Sequence, residues 1–253
     1  MSQWQAPGPP PGVRWHFSSR AGGVSSGPYA GLNLADHVGD DPDSVSRNRE
    51  VLAGRIGLAP ERIVVMQAAH GRDAAIVSEA GTVPAVDGLV TTTPGLGLLA
   101  QGADCATVAL ADSEAGVVAA VHSGWRGVSV NAVAAVVERM VSLGAEPSHI
   151  HAAIGPVICP GCYEVSSEVR DQVGAAASSA VAETRQGTPA VDLHAGVTEQ
   201  LQRAGVQVMA ADPTCTYESS DRYSYRRDGT TGRQGMLIAL MPVESTQGEA
   251  NRD

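Results

Sequence analysis

A cysteine and a histidine stand where a β-hairpin would bring their side chains together. Residues 105–122, CATVALADSEAGVVAAVH, consist of two apolar stretches joined by a polar turn at 112–115, and that turn places Cys105 opposite His122. Residues directly opposed on antiparallel strands have Cβ atoms about 4.5–5.5 Å apart. A slip of two residues would keep both side chains on one face. The sequence therefore predicts a thiol and an imidazole that are neighbours.

A thiol beside an imidazole has two established uses. The imidazole can deprotonate the thiol for nucleophilic catalysis. Alternatively, both can bind zinc, which in catalytic sites takes three protein ligands and keeps one open position. His70, at the end of a predicted strand and followed by Gly71, is the best candidate for the third ligand. The other histidines lie in less suggestive contexts: His16, His37, His149, His151 and His194.

Two further features have competing interpretations. Trp125, within HSGWRG at 122–127, can stack on a flat ligand, but a tryptophan between glycines as often anchors packing. Cys159-Pro-Gly-Cys162 has the spacing of a zinc or redox motif. The sequence has no second pair of this kind and no thioredoxin-like pattern around the first. We therefore favour an ordinary structural role for these two cysteines.

The rest of the chain predicts the elements that must position these residues. Asp41-Pro42 indicates a capped helix start, because proline is favoured at the first helical position. Further helices are expected at 129–143 and from Asp192 to Gly205, with a weaker candidate at 165–183. Strands are predicted at 62–66, 74–77, 88–91, 96–100, 105–111, 116–122, 150–154, 206–210 and 236–241.

The order of these elements indicates the fold class. Strands occur in clusters as well as in alternation with helices, which favours an α/β fold of the mixed α+β sandwich kind over a doubly wound sheet. We expect one domain over residues 1–253, with mixed sheets flanked by helices. The Pro/Gly-rich start at 1–12 and the polar tail at 244–253 are expected to be flexible.

Composition excludes several classes of function. The net charge is −10 and the pI about 5.1, so we expect no nucleic-acid partner. All 17 basic residues are arginine, which removes Schiff-base chemistry and a phosphate-loop lysine. No apolar signal segment or membrane-length run is found, so we expect a cytoplasmic protein without a membrane partner. The sequence does not indicate an oligomeric state.

Five segments, in order along the chain, resemble one known family. They are SSRAGGVSSGPYAGLNLADHVGDD at 18–41, ADC at 103–105, HSGWRG at 122–127, IGPVICPGCYEV at 154–165 and YSYRRDGTTGRQG at 223–235. Together they are similar to the laccase-domain family. Its members are called multicopper polyphenol oxidoreductases in older usage and purine nucleoside phosphorylases in newer usage. The chain departs from the family pattern at Gln67, Thr107 and Ser123, none of which is an expected ligand.

The resemblance implies a catalytic zinc ion held by His70, Cys105 and His122. Copper(II) is a possible substitute at these ligands, because it binds such sites more strongly than zinc. The resemblance also implies an enzyme that phosphorolyses adenosine, inosine, guanosine and methylthioadenosine and that deaminates adenosine. One bacterial branch of the family is linked instead to the editing of cell-wall precursors.

Phosphorolysis needs an anion site, for which the closing segment offers candidates. Arg226, Arg227 and Arg233 lie among three glycines, a setting that suits phosphate held by guanidinium and backbone N–H groups. From the N-terminal signature, Arg20 and Asn33 complete the expected substrate-binding set. For deamination, Asp104 and Glu164 are both candidates for the proton shuttle.

Three alternatives stay open beside the zinc-dependent phosphorylase with accessory adenosine deaminase activity. The first is a metal-free hydrolase using Cys105 and His122 on a cell-wall peptide precursor. The second is a copper-dependent polyphenol oxidase, although seven histidines are few for a site holding several copper ions. The third is a non-catalytic binding protein stabilised by zinc, against which the open coordination position argues.

Overall fold

Two β-sheets packed face to face form the centre of the computed structural model, which describes residues 6–242. The first sheet has the order β1 (Val13–Phe17), β13 (Gln234–Leu240), β6 (Gly97–Gly102), β2 (Ile63–Gln67), β4 (Gly81–Pro84). The second has the order β12 (Gln207–Ala211), β9 (His151–Ile154), β7 (Ala106–Asp112), β8 (Val117–Ser123), β5 (Gly88–Thr91), β3 (Ala74–Ile76). A two-stranded ribbon consists of β10 (Val181–Glu183) and β11 (Pro189–Val191).

Helices cover the outer faces of both sheets. They are α1 (Pro42–Gly54), α2 (Trp125–Ser129), α3 (Ala132–Ser142), α4 (Ser167–Ala176) and α5 (Leu193–Arg203), and a short helix α6 (Tyr225–Asp228) precedes β13. α1 packs on the first sheet, whereas α2 to α5 pack on the second. The two sheets bury a core between them, in which Trp15 and Met66 of one sheet meet small residues such as Ala109 and Ala120 of the other. Within the described residues, no helix is both long and apolar enough to cross a bilayer.

These four layers confirm the predicted fold class, a single domain of mixed sheets flanked by helices. Both sheets combine parallel and antiparallel neighbours: β2 runs parallel to β6 and β4, whereas β7 runs antiparallel to β8 and β9. The tail at 244–253, expected to be flexible, lies outside the described residues. In the N-terminal segment, the Trp15 indole donates to the Pro7 carbonyl at 3.0 Å.

Three connections carry the chain from the first sheet to the second: β2 to β3, β4 to β5 and β6 to β7. Because β2, β4 and β6 are parallel, their carboxyl ends lie on the same side of the first sheet, and all three connections leave the sheet from there. Each contains a non-glycine residue with a left-handed backbone, His70 (φ 60°), Ala85 (φ 56°) and Asp104 (φ 101°). Such conformations cost about 1–3 kcal/mol each and persist where the surrounding structure imposes them.

The predicted hairpin is present, but its register differs from the prediction by two residues. Thr107, not Cys105, is the cross-strand partner of His122. The turn forms one residue later than predicted: Asp112 still pairs within the ladder, its carboxylate accepts two N–H groups of the turn, and Gly116 has a φ of 65°. A shift of two preserves the face of every side chain, so the predicted proximity of Cys105 and His122 survives the wrong register.

Two helix predictions also need correction. The helix expected at 129–143 is present as α3, but it begins only at Ala132, after Asn131 in a left-handed conformation; Ser129 is the last residue of a separate helix, α2. The segment that contains Trp125 is therefore helical, because α2 begins at this residue. The candidate at 165–183 is helical only to Ala176 and then enters β10. The starts of α1 and α5 are confirmed, with Asp41 and Asp192 accepting backbone N–H groups as caps.

Asn48, buried on α1, holds the polar loop at 18–41 in place. Its amide donates to Ser25 and to two backbone carbonyls of the loop, and its side-chain oxygen accepts the Val24 N–H. We expect Asn48→Ala to lower the free energy of unfolding by about 2–4 kcal/mol, because several buried polar groups lose their partner. The exposed Glu50→Ala on the same helix is the control, with a change below about 0.5 kcal/mol. Equal urea midpoints for the two variants would contradict this role.

Candidate metal-binding site

The three ligands predicted from the sequence lie at the ends of strands. His70 follows β2, Cys105 immediately precedes β7, and His122 is the penultimate residue of β8. Side chains alternate along a strand, so His122 continues the face of β8 that points between the sheets with Val118 and Ala120. The first two residues therefore sit on connections between the sheets, and the third sits on a buried strand.

These three side chains converge. The ligand atoms of His70, Cys105 and His122 all lie within 4.8 Å of one another, and the two imidazole rings meet edge to face with centroids 4.9 Å apart. His122 is buried, Cys105 is half-buried and His70 is exposed. The group is thus closed on the side of the core and open on the side of His70, which leaves room for a ligand beyond the three residues.

Asp87, immediately before β5, orders this group. Its buried carboxylate accepts the His122 Nδ1 proton at 2.9 Å and the backbone N–H groups of His70 at 3.0 Å and Gly71 at 2.6 Å. The Asp87 carbonyl also accepts the backbone N–H of His122 at 2.9 Å. A carboxylate that engages one ring nitrogen of a histidine fixes its tautomer and presents the other to a metal. Here Nε2 of His122 is the free ligand atom.

The charges of these groups are strongly coupled. Burial alone would raise the pKa of the Cys105 thiol, but hydrogen bonds and charge from His122 and His70 lower it to about 6. Burial would lower the pKa of His122, but Asp87 and Cys105 raise it to about 9. At neutral pH the favoured state without a metal is a thiolate beside an imidazolium. The thiolate form is the one that binds metals.

Gly124 makes the close approach possible. A Cβ atom at this position would lie 2.7 Å from the Cys105 sulfur and 3.8 Å from the ring of His70. Any side chain would therefore fill the space between the ligands. One thiolate and two imidazoles form a donor set suited to zinc or copper. The residues present fit a metal ion of this kind.

A cavity of about 450 Å³ opens directly onto the three ligands. Its wall also contains His37, Met66, Gln67, Ala68, Gln101, Gly102, Ala103, Tyr225 and Arg233. Gln101 is the unusual member, because both polar atoms of its buried amide lack a hydrogen-bond partner within the described residues. Buried polar groups are normally paired, so an unpaired amide in a cavity wall indicates a place for a ligand.

Comparison with known proteins identifies the family of this chain. Residues 14–241 match the family described as multi-copper polyphenol oxidoreductase laccase. The chain belongs to this family. A relative from Streptomyces coelicolor, named purine nucleoside phosphorylase, is 48% identical over 232 residues, which cover 90% of this chain and 96% of the relative. A second protein of that name, from Streptomyces griseus, is 50% identical over 228 residues, or 88% and 93% of the two chains.

Solved structures share the fold. The crystal structure of YlmD from Geobacillus stearothermophilus has a TM-score of 0.85 and 34% identity, covering 92% of this chain and 93% of that one. A Neisseria meningitidis protein has a TM-score of 0.81 and 32% identity, with 92% and 96% covered. The predicted membership of the laccase-domain family is therefore confirmed. The names of the relatives support an enzymatic role for this chain.

Of the five residues expected to bind substrate, Arg233 lines the cavity. Its Nη1 donates to the carbonyls of Thr231 and Gly232, and within residues 6–242 its other guanidinium N–H groups have no acceptor. Asn33 is buried behind it and accepts the backbone N–H of Arg233 at 2.8 Å. The structure thus brings these two laccase-domain residues together, one at the cavity surface and one supporting it.

The other three arginines are not part of the cavity wall. Arg226 stacks over the ring of Tyr163, with 4.9 Å from guanidinium carbon to ring centroid, and donates to a backbone carbonyl. Arg20 lies over Tyr223 at 4.7 Å and donates to the Ala30 carbonyl. The five N–H groups of Arg227 are taken up by four backbone carbonyls and Asp228.

The two carboxylates considered for proton transfer lie outside the cavity wall. Asp104 is buried and accepts the Thr216 hydroxyl at 2.6 Å and the Arg226 backbone N–H at 2.7 Å. Glu164 is exposed, and its backbone pairs with Ala190.

Trp125 is the first residue of α2, and the guanidinium carbon of Arg126 lies 4.4 Å from the centroid of its ring.

Asp87 and Gln101 were missed by the sequence analysis for different reasons. Asp87 precedes an apolar strand, which is a common place for a turn residue, and its role depends on β5 lying next to β8. Gln101 is a lone polar residue in an apolar stretch before Cys105, a pattern that signals a buried polar group. The sequence therefore contained a signal for Gln101, whereas it gave no indication that β5 pairs with β8 and brings Asp87 to His122.

We expect Asp87→Asn to weaken metal binding by about 10- to 100-fold, the usual effect of removing a carboxylate behind a ligating histidine. The physical cause is that His122 loses its fixed tautomer and that the turn carrying His70 loses a charged acceptor. Asp73→Asn, on an exposed residue of the same connection, is the matched control and should bind metal like the wild type. Competition titration with a chromogenic chelator measures both, and equal affinities would refute the role of Asp87.

Proposed function

We propose that the protein is a zinc-dependent purine nucleoside phosphorylase. Adenosine, inosine, guanosine or methylthioadenosine reacts with phosphate to give the free base and the sugar 1-phosphate. The observation that carries the proposal is the convergence of His70, Cys105 and His122 on a cavity that also contains Arg233 and the unpaired Gln101 amide. Relatives that are 38–50% identical and named purine nucleoside phosphorylase support it.

Zinc is the ion we propose for the three ligands. A thiolate with two imidazoles is typical of zinc, and a three-residue set leaves the coordination position that catalysis requires. When bound, the ion supplies Lewis-acid activation of an oxygen in the cavity. Among the described residues, only one potential metal-binding group contains histidine, which does not support an oxidase holding several copper ions. Copper in place of zinc at this one group is the remaining route to oxidase activity.

The chain supplies the groups that phosphorolysis needs. A phosphate oxygen bonds to the anomeric carbon, the glycosidic bond breaks, and the base leaves with the bonding electrons and takes up a proton. The Arg233 guanidinium can donate two parallel hydrogen bonds to phosphate, and Gln101 offers both a donor and an acceptor to a purine edge. Arg226 adds positive charge beside the cavity. In this proposal Arg20, Asn33 and Arg227 support the binding wall through the backbone that they hold.

The same cavity is proposed to deaminate adenosine as an accessory reaction. Water adds at the amino-bearing carbon of the purine, ammonia leaves, and inosine results. Deamination needs no phosphate, so the two reactions separate by their products and by their dependence on phosphate.

Products from adenosine, with and without phosphate, test the proposed function. We expect adenine and ribose 1-phosphate only when phosphate is present, and inosine in both conditions. His70→Asn should lose bound metal and at least about 100-fold in turnover, because a ligand is removed. His149→Asn, an exposed histidine paired with Glu114, is the matched control and should retain both. Phosphorolysis by a fully metal-depleted protein would refute the zinc role.

Arg233 provides a sharper test of the phosphate site. We expect Arg233→Gln to raise KM for phosphate by about 10- to 100-fold, the loss of a charge-assisted hydrogen bond of about 1.5–3 kcal/mol. KM for the nucleoside should change much less. Arg72→Gln, exposed and outside the cavity, is the control. An unchanged KM for phosphate in Arg233→Gln would place the anion elsewhere.

A second candidate, a thiol hydrolase acting on an amide such as a cell-wall peptide precursor, has one observation in its favour. Asp87, His122 and Cys105 lie side by side in the arrangement found in cysteine hydrolases, where an acid orients a histidine base and the base activates a cysteine nucleophile. A trapped acyl-enzyme on Cys105 in metal-free protein, with no nucleoside turnover, would favour it. If no nucleoside or amide substrate reacts and the protein unfolds when its metal is removed, the chain would instead be a zinc-stabilised binding protein.

A further inference from the structure

A second group of metal-binding side chains lies outside the cavity wall. The ligand atoms of Cys159, Cys162, Cys215 and Glu218 all lie within 4.8 Å of one another. In a tetrahedral zinc site with metal–sulfur bonds of about 2.3 Å, neighbouring sulfur atoms are about 3.8 Å apart. The distances between the four ligand atoms are thus close to those expected when all four bind one metal ion. None of them belongs to the His70 group or to the wall of its cavity.

Cys159 and Cys162 have the local form of a metal-binding turn. Cys159 and Cys162 flank a Pro-Gly pair, and the Cys162 N–H closes the turn on the Cys159 carbonyl at 3.0 Å. The Cys159 N–H in turn donates to the Cys215 sulfur at 3.3 Å. Amide donors directed at sulfur stabilise thiolate ligands. The sequence lacks a second Cys-x-x-Cys pair, but the fold supplies Cys215 and Glu218 in its place.

We propose that Cys159, Cys162, Cys215 and Glu218 bind a second zinc ion with a structural role. Three thiolates select zinc over magnesium or calcium, and four protein ligands close the coordination sphere. Arg185 donates to the Cys162 sulfur at 3.1 Å and pairs with Glu218. It provides positive charge at the exposed side of the group, where one carboxylate oxygen can keep this ion pair while the other binds the metal.

The second zinc ion joins two segments that both support the catalytic cysteine. The Ile158 N–H donates to the Asp104 carbonyl at 3.1 Å, and the Thr216 hydroxyl donates to the Asp104 carboxylate at 2.6 Å. Asp104 has the left-handed backbone that precedes Cys105. A metal that fixes Cys159 to Cys215 therefore holds the neighbours of both residues against Asp104. This zinc acts on the cavity by positioning and contacts no substrate.

Metal analysis of the full chain, purified under reducing conditions and loaded with zinc, tests this site separately from the first. We expect two zinc ions per chain in the wild type. The variant with His70→Asn and Cys105→Ser should keep one, and Cys159→Ser with Cys215→Ser should keep the other. Cobalt(II) in the first variant should show the intense charge-transfer absorption of several thiolate ligands. Cobalt(II) in the Cys159→Ser, Cys215→Ser variant should show the weaker charge-transfer absorption of a single thiolate ligand.

Glu218→Gln covers the possibility that loss of two cysteines prevents folding. This exposed variant should fold and should weaken only the second zinc by at least about tenfold. Glu183→Gln, another exposed carboxylate, is its matched control. A His70/Cys105 double variant that binds no zinc, or a disulfide among these cysteines in the reduced, zinc-loaded protein, would overturn the proposal. Because the His70/Cys105 variant retains only the second site, failure of the proposed nucleoside reaction would not affect this result.

Discussion

The carboxylate of Asp87 is the interaction on which the site depends. It binds the turn that carries His70, which follows a strand of the first sheet, and the ring of His122, which belongs to the second. A single buried acid therefore sets the distance between two ligands that come from opposite layers of the sandwich. The cost of burying its charge is offset by N–H donors from three directions. Without this carboxylate, the His122 ring would lose the acceptor that orients it, and the turn that carries His70 would lose a charged acceptor.

The sandwich architecture explains why the site lies where it does. Three connections cross from one sheet to the other at a single edge, and they carry His70, Asp87 and Cys105 in turn. Left-handed backbone occurs once in each crossing, where the chain must turn sharply within a short span. The candidate site and the strained backbone thus lie in the same three short connections, and His70 belongs to both. The rest of the sheets, filled by small and branched apolar side chains, provides the rigidity that holds them.

The sequence predicted local features well and long-range neighbours less well. Asp41 and Asp192 correctly predicted where α1 and α5 begin, because helix capping depends only on residues within one turn. The hairpin of β7 and β8 was visible, but its register depended on whether Asp112 ended the strand or paired within it. Nothing in the sequence could place β5 beside β8, so the partner of His122 was not predicted.

Other residues show the same division between local and distant information. The family resemblance identified His70, which spacing alone only suggested. Cys159 and Cys162 were visible as a pair, yet Cys215 and Glu218 become their neighbours only when the end of β9 is brought beside the segment after β12. The helix predicted from residue 129 begins only at Ala132, because Asn131 takes a left-handed conformation that the apolar periodicity around it does not indicate.

The left-handed backbone of His70 has a consequence for how proteins of this shape can change over time. Histidine tolerates this conformation better than most residues, and asparagine and glycine tolerate it better still. A single exchange to either would preserve the turn, the hydrogen bonds to Asp87 and the packing of both sheets, while removing one imidazole at an exposed position. The fold can therefore lose the proposed metal site without losing its shape. Descendants that keep the scaffold for another purpose are one substitution away.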